Sequence, residues 1–325
     1  MAKFKTIFLY QDPWEADRFR DGVGSDMEVV GFPQDTDPAT VGSKNYDAVM
    51  VVGGAGIRTE ETARLFPRLK LIQTLSAGTD TIPKVAMSEM GIRVANNRGG
   101  NAVAVAEVTV ALMVSTYRQL MAQWDQLNNR GTYSQGFNDN WGRFHELTGK
   151  RVGIVGLGQI GSRVAKRLSG WECEIVYSDI TQYSESYEVA AGAKRVDFEE
   201  LLETSDVISL HVPLDRTTTK LLSDREFARM KPSTIVINAC RGPVIDEAAL
   251  IRALDAGLIA GAGLDVTEIE PIEKANALIG RNNVVLLPHH AGMSVEARQK
   301  SVDNAVENAR LLMAGKDPLG IVLPV

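Results

Sequence analysis

Short apolar runs rich in β-branched residues alternate along this chain with longer stretches of helical period. In the first hundred residues the runs Thr6–Tyr10, Ala48–Val52, Leu69–Leu75 and Ile92–Ala95 predict strands, and Thr59–Phe66 and Thr81–Met90 predict helices between them. The rhythm is plainer from Arg151 onward. There strands are predicted at Arg151–Val155, Glu174–Asp179, Val207–His211, Thr234–Asn238, Ala260–Leu264 and Val284–Leu287, with helices at Ile160–Leu168, Asp246–Ala256 and Ser294–Met313. A strand that is apolar along its whole length is buried on both faces, and such strands separated by helices form parallel sheets covered on both sides. The expected fold class is therefore α/β, with two doubly wound parallel-sheet domains.

Between the two arrays lies Asn101–Tyr117, with the sequence NAVAVAEVTVALMVSTY. A helix that is apolar almost all round is normally buried, so this one is expected to pack between domains or against a second subunit. Gly131, Gly136 and Gly142 punctuate the polar, aromatic stretch that follows, which reads as an arm or linker into the second domain.

Composition narrows the reading. At 325 residues the chain exceeds one ordinary core and suits two domains. Hydrophobic residues at 44% and charged residues at 23% suffice for large cores and exclude disorder. The formal net charge is −6 and no Lys/Arg run stands out, so no nucleic acid partner is expected. The most apolar long stretch is interrupted by Glu107 and falls short of a membrane span. The opening MAKFKTIFLYQDPW lacks the long apolar core and small-residue cleavage site of a signal peptide. No membrane partner is expected. Cys173 and Cys240 make neither a disulfide framework nor a metal cluster, which fits a reducing, cytoplasmic location.

The strand Arg151–Val155 runs directly into Gly156-Leu157-Gly158-Gln159-Ile160-Gly161 and then a helix. This is a G-x-G-x-x-G turn in its strand–turn–helix setting. Gly156 permits the tight turn, Gly158 lets a pyrophosphate approach the backbone, and Gly161 lets helix and strand pack closely. The helix start offers N–H groups and a positive dipole end to phosphates. About 20 residues further on, Asp179 ends the next strand, placed to accept the adenine ribose hydroxyls of NAD and to repel the 2′-phosphate of NADP. The residues after it, Ile180-Thr181-Gln182, bring no arginine for such a phosphate. The expected cofactor is NAD.

A nicotinamide-dependent dehydrogenase also needs a proton donor or acceptor for the substrate oxygen and a cation for its carboxylate. Arg241, Glu270 and His289 each follow one of three successive strands. Ligands of open α/β sheets lie at the carboxyl ends of strands, so the three are expected to meet on the cofactor side. His289-His290 raises a metal, but no acidic or cysteine ligands gather near it, and none is assigned. Cys240 reads as a buried structural thiol.

At these residues the chain resembles the D-isomer-specific 2-hydroxyacid dehydrogenase family, which includes glyoxylate and hydroxypyruvate reductases and phosphoglycerate dehydrogenases. The stretch INACRGPVIDEAALIRALDAGLIAGAGLDVTEIEP is similar to the family's N-x-A-R-G-x-x-V-D-E … A-L-D-V-x-x-x-E-P signature, and NNVVLLPHHAG resembles its N-V-x-L-T-P-H segment. GKRVGIVGLGQIG and, more loosely, LKLIQTLSAGTD and NAVAVAE extend the resemblance over residues 69–292. The resemblance implies a Rossmann NAD domain at 101–291 and a flavodoxin-like substrate domain at 1–100 plus 292–325. It implies that His289 is the general acid–base, that Glu270 orients it and favours its protonated form, and that Arg241 binds the carboxylate and carbonyl. Ser76, Ala77 and Gly78 would cradle the same carboxylate with backbone donors. Asp265 would bond the nicotinamide carboxamide, Val212 and Pro213 would border the adenine, and Ala239 would also line the cofactor. A homodimer through 101–145 is implied as well.

The chain departs from the pattern after the third strand, where Gly53-Gly54-Ala55-Gly56 replaces the R-S-x-T of many members and Arg58 is only close by. With Arg58 and Arg98 the only nearby cations, a phosphate would be poorly compensated. The expected partner is a small, unphosphorylated 2-oxo or 2-hydroxy acid, glyoxylate or hydroxypyruvate first. Two alternatives share the fold. An enzyme oxidising formate or phosphite is disfavoured by Glu270, because the formate enzymes carry Gln there. A non-enzymatic NAD-sensing corepressor needs an outer peptide-binding surface, which this sequence does not advertise.

Overall fold

The computed structural model describes residues 4–53, 59–132 and 144–323. The chain divides into two compact units, one of Met1–Asn101 with Met293–Val325 and the other of Ala102–Gly292. Gly54, Ala55, Gly56, Arg58, Gly136 and Gly142 lie outside the described residues.

The first unit holds five parallel strands: β1 (Phe4–Tyr10), β2 (Met27–Pro33), β3 (Met50–Val52), β4 (Leu71–Gln73) and β5 (Arg93–Ala95). Their order, β2-β1-β3-β4-β5, is the flavodoxin-like one. Successive side chains alternate between two apolar layers. Ile7, Val51 and Ile72 join Phe66 and Met87 on one face. Phe8, Met50 and Leu71 join Val302, Ala305 and Ala309 on the other. The latter three come from the helix Val295–Met313, which Ser294 caps by accepting the Ala297 N–H. This explains why the last residues of the chain complete the first sheet.

The second unit holds seven parallel strands: β6 (Arg151–Val155), β7 (Glu174–Ser178), β8 (Lys194–Arg195), β9 (Val207–Leu210), β10 (Ile235–Asn238), β11 (Gly261–Leu264) and β12 (Val284–Leu286). Their order is β12-β11-β10-β9-β6-β7-β8. Read from β8, this is the doubly wound dinucleotide order with one strand added. The helix Ala102–Arg118 packs on the helix Gly161–Leu168 and on β10, β11 and β12. Its buried face is thus covered by elements of its own unit. A further helix, Leu120–Asn128, occupies the start of the stretch read as an arm.

Candidate active site

The glycine turn after β6 is shaped by close approaches. Gly156 has φ +93°, and a Cβ there would lie 2.7 Å from the His211 carbonyl oxygen. A Cβ on Gly161 would lie 2.1 Å from the Gly156 carbonyl oxygen, so helix and turn touch backbone to backbone. Gly158 differs: a Cβ there would meet nothing within 4 Å. The Leu157 N–H donates to Asp179 Oδ2 at 2.8 Å. Among the described residues, the N–H groups of Gly158, Gln159 and Ile160 have no protein acceptor. Open space over glycine, unclaimed N–H donors and the start of the helix Gly161–Leu168 together fit a pyrophosphate.

Asp179 is fixed rather than solvated. Its Oδ1 accepts the Thr181 N–H at 2.8 Å, and Tyr183 donates to its Oδ2 at 3.3 Å. The Tyr183 ring stacks on Tyr187, with centroids 4.6 Å apart, and Tyr187 donates to the Leu157 carbonyl at 3.1 Å. Val212 lies beside the turn, 3.1 Å from a Cβ on Gly156, with the exposed Pro213 following it. Ala239 is buried against Val105 and Ala291. No arginine stands at 180–182, but one reaches Asp179 from another strand: Arg195 of β8 donates from Nη2 to the Asp179 carbonyl at 2.8 Å. Sequence order hid it because β8 reaches β7 only through sheet pairing.

At the other end of the same sheet, His289 Nδ1 lies 2.7 Å from Glu270 Oε2. The other Glu270 oxygen accepts the Thr267 N–H at 3.1 Å. With the carboxylate holding the Nδ1 proton, Nε2 is the ring nitrogen left for exchange. His289 has φ +59°, a left-handed backbone that side chains other than glycine seldom adopt. Three bonds from Asp265 hold it there. The Asp265 carbonyl accepts the His289 N–H at 2.7 Å, and its two carboxylate oxygens accept the N–H groups of His290 and Ala291 at 2.9 Å each. Burial pushes the Asp265 carboxyl above its ordinary range, and these N–H donors oppose the shift. Asp265 therefore clamps the histidine loop, a job that its place in the sequence did not reveal.

Arg241 follows β10 and bonds the Cys240 carbonyl through Nη1. The next residue, Gly242, packs so closely that a Cβ would lie 1.8 Å from the Thr267 carbonyl oxygen. The arginine loop thus lies directly on the loop that carries Glu270. Glu247 and Glu268 lock the two loops by reciprocal backbone N–H bonds of 2.9 and 3.1 Å. Cys240 is buried, with its Sγ 3.0 Å from Asn238 Oδ1, and burial pushes its thiol up to about 11.

In the first unit a pocket of about 200 Å³ opens at the ends of β1, β3 and β4. Its polar wall comes from Gln11, Gln34, Thr74, Ser76, Thr81 and Arg298. The Ser76–Gly78 turn is held by its carbonyls. That of Ser76 accepts Thr74 Oγ1 at 2.7 Å and the Asn97 N–H at 2.9 Å, that of Ala77 accepts Asn96 Nδ2 at 3.0 Å, and that of Gly78 accepts Ser76 Oγ at 2.9 Å. Among the described residues, the N–H groups of Ser76, Ala77 and Gly78 have no protein acceptor. Arg98 is exposed and does not line the pocket. Among the described residues the lining cation is Arg298, which sequence reading missed. Its only sequence signal is a place one turn into the helix that follows the histidine loop.

A doubly wound sheet carrying a glycine turn with these approaches defines a dinucleotide-binding domain. Residues 110–291 match the family model described as D-isomer specific 2-hydroxyacid dehydrogenase, NAD binding domain. The glyoxylate reductase of Thermofilum pendens is 39% identical over 256 residues, covering 79% of this chain and 75% of that protein. The solved glyoxylate reductase of Paecilomyes thermophila superposes with a TM-score of 0.87 at 28% identity, over 99% of each chain. The D-mandelate dehydrogenase of Rhodotorula graminis gives 0.86 at 29% identity, over 99% of this chain and 98% of that one. The chain belongs to the D-isomer-specific 2-hydroxyacid dehydrogenase family. It is an enzyme of that family and its cofactor is NAD.

Proposed function

We propose that the protein reduces a small, unphosphorylated 2-oxo acid, with glyoxylate or hydroxypyruvate as the substrate and NADH preferred over NADPH. The observation that carries this is the 2.7 Å pair between Glu270 and His289 Nδ1. When bound, NAD(H) supplies the hydride chemistry. His289 gives a proton from Nε2 to the substrate's carbonyl oxygen as it becomes a hydroxyl, and takes one back in the reverse direction. Glu270 orients the ring and stabilises the imidazolium form. Arg241 binds the carboxylate, to which its planar fork is suited. The unit of 1–100 and 292–325 is assigned to the substrate, with the N–H donors of Ser76, Ala77 and Gly78, and the unit of 101–291 to NAD. Asp179 takes the ribose hydroxyls. The relationship to a glyoxylate reductase supports the substrate assignment.

Purified protein with NADH against glyoxylate, hydroxypyruvate, pyruvate and phenylpyruvate tests the reading. His289→Ala should cost about two to four orders of magnitude in turnover, the usual scale for a general acid–base, with NADH binding retained. Near-normal turnover in that variant refutes the assignment.

We infer further that the protein is a cytoplasmic homodimer through residues 101–145. The helix Leu120–Asn128 buries none of its residues and exposes Leu120, Met121, Trp124 and Leu127 by 39%, 49%, 57% and 51%. Apolar residues recurring at helical spacing without cover mark an interaction face. Among the described residues no helix is long and apolar enough to cross a membrane. Sedimentation should give a dimer that Trp124→Glu converts to monomer. A wild-type monomer at micromolar concentration refutes this.

A further inference from the structure

The peptide joining Leu157 to Gly158 lies at the centre of the glycine turn, and a neighbouring helix grips it. That helix is Glu185–Ala191, capped by Ser184, which accepts the Tyr187 N–H at 3.3 Å. From its first turn the Tyr187 hydroxyl donates to the Leu157 carbonyl at 3.1 Å and lies 3.5 Å from that of Gly158. Among the described residues no other donor reaches the Leu157 carbonyl. The Gly158 carbonyl is held by Ser162, whose Oγ and N–H donate to it at 2.7 and 3.1 Å.

These bonds fix where two N–H groups point. In a trans peptide the C=O of one residue and the N–H of the next face opposite ways, and both peptides are trans. Turning the Leu157 carbonyl toward Tyr187 therefore turns the Gly158 N–H away from it. Holding the Gly158 carbonyl on Ser162 does the same for the Gln159 N–H. Both belong to the N–H groups without a protein acceptor. Leu157 is fully buried, and a buried carbonyl that loses its donor must find another. Without the hydroxyl, this peptide is free to rotate and carry the Gly158 N–H with it.

A second tyrosine holds the first. The Tyr183 ring stacks on Tyr187 with planes 15° apart and meets the buried Tyr177 edge-on, with centroids 6.2 Å apart. Tyr183 and Tyr187 are half-buried against the core of this unit. The Tyr183 hydroxyl adds little, because Asp179 is already fixed by the N–H groups of Leu157 and Thr181 at 2.8 Å each. Its ring is what confines Tyr187.

We propose that Tyr187 is a positioning residue for the pyrophosphate of the cofactor: its hydroxyl sets the Leu157–Gly158 peptide so that the Gly158 N–H faces the phosphates, and the Tyr183 ring keeps that hydroxyl in place. The proposal rests on the assignment of the second unit to NAD and deepens it. Neither tyrosine is assigned a contact with the reacting atoms.

The test is binding, read by fluorescence titration with NADH and by calorimetry with ADP, which carries a diphosphate and no nicotinamide. Tyr187→Phe keeps the stack and removes only the hydroxyl. Kd for both ligands should rise about fivefold or more, the scale of one net hydrogen bond. At saturating NADH, kcat should stay within about twofold of wild type, because the loss is one of uniform binding. Tyr183→Phe keeps the stack and should bind within about twofold of wild type, whereas Tyr183→Leu removes it and should lose about threefold or more. Combined with Tyr187→Phe, Tyr183→Leu should cost less than the product of the two losses. A Kd within about twofold of wild type in Tyr187→Phe overturns the proposal. So does a loss in kcat as large as the loss in affinity, which is what a general loosening of the fold would give. If Tyr187→Phe does not fold, the other pair decides, and equal affinities in Tyr183→Phe and Tyr183→Leu overturn the proposal. Wild-type NADH affinity that Gly158→Ala leaves unchanged refutes the assignment of this turn to the cofactor instead.

Discussion

Gly158 and Gly161 belong to one motif, yet the structure assigns them opposite costs. At Gly161 a Cβ would lie 2.1 Å from the Gly156 carbonyl oxygen and 3.0 Å from Ile154 Cγ2. Both neighbours are held by the sheet, so the backbone must shift, and overpacking of this kind costs about 1–3 kcal/mol or more. At Gly158 a Cβ meets nothing within 4 Å, and the residue is not in the left-handed region. Replacing such a glycine with alanine narrows the unfolded ensemble and stabilises by about 0.4–1 kcal/mol. In urea denaturation, Gly158→Ala should therefore match or exceed wild-type stability, while Gly161→Ala should lose about 2 kcal/mol. Binding should reverse the order of harm. The added methyl of Gly158→Ala stands where a pyrophosphate would approach, so NADH affinity measured by fluorescence titration should fall about 10-fold or more, equivalent to at least ~1.4 kcal/mol. The reasoning fails if Gly158→Ala is as unstable as Gly161→Ala, or if it binds NADH within about twofold of wild type.

Asp179→Ala should narrow the preference for NADH over NADPH, since it removes the ribose acceptor and leaves Arg195 beside a 2′-phosphate. Steady-state kinetics with both cofactors check this, and equal efficiencies in the wild type would leave no preference to explain. His211 supplies a pH dependence. Its Nδ1 is buried without a partner, its Nε2 lies 2.9 Å from Ser209 Oγ, and burial depresses the imidazole to about 3. The folded state keeps it neutral while the unfolded state protonates near pH ~6.5, so stability is lost as pH falls below that value, by about 1.4 kcal/mol per unit. Between pH 7.5 and 5 the wild type should lose about 2 kcal/mol more than His211→Gln, and parallel losses would refute the depressed value.

Much of the second unit was legible because its strands are buried on both faces. Val207–Leu210 and Ile235–Asn238 are buried throughout, and their sequences are apolar but for Ser209 and the closing Asn238. The first unit hid more. β2 reads MEVVGFP and is an edge strand with only Met27 buried, so its pattern is diluted by Glu28, Gly31 and Pro33. In the second unit the edge strand β8, two exposed residues, was hidden as well. The predicted helix Thr81–Met90 shortens to Lys84–Glu89 because Pro83 sets its start. Thr59–Phe66 shortens to Glu60–Ala63, with Thr59 as its cap.

The site residues divide along the same line. Glu270 and His289 were legible because each follows a buried strand within the same sheet, so chain order alone places them on neighbouring loops. Arg298 was not, because its place in the pocket wall depends on the helix Val295–Met313 returning to the first sheet. A hydrophobic pattern tells which face of that helix is buried, but not which sheet it packs on. Arg195 was hidden for a related reason, since register in β-pairing sets its distance from Asp179.

The backbone of His289 bears on why an imidazole stands there at all. A left-handed φ of +59° costs a side-chain-bearing residue about 1–2 kcal/mol, and glycine would avoid that cost. The three Asp265 bonds that enforce the turn come from backbone N–H groups and would hold a glycine equally well. The turn itself therefore gives no reason for histidine. Nor does burial, because the side chain is 48% exposed and its one carboxylate contact is to Glu270, itself 37% exposed. A half-exposed ion pair of that kind contributes at most about 1 kcal/mol, which does no more than offset the strain. Stability is thus indifferent or opposed to histidine at this position, while a proton relay requires it. Strain tolerated at one residue and enforced by a buried carboxylate is what a loop built to aim Nε2 would show.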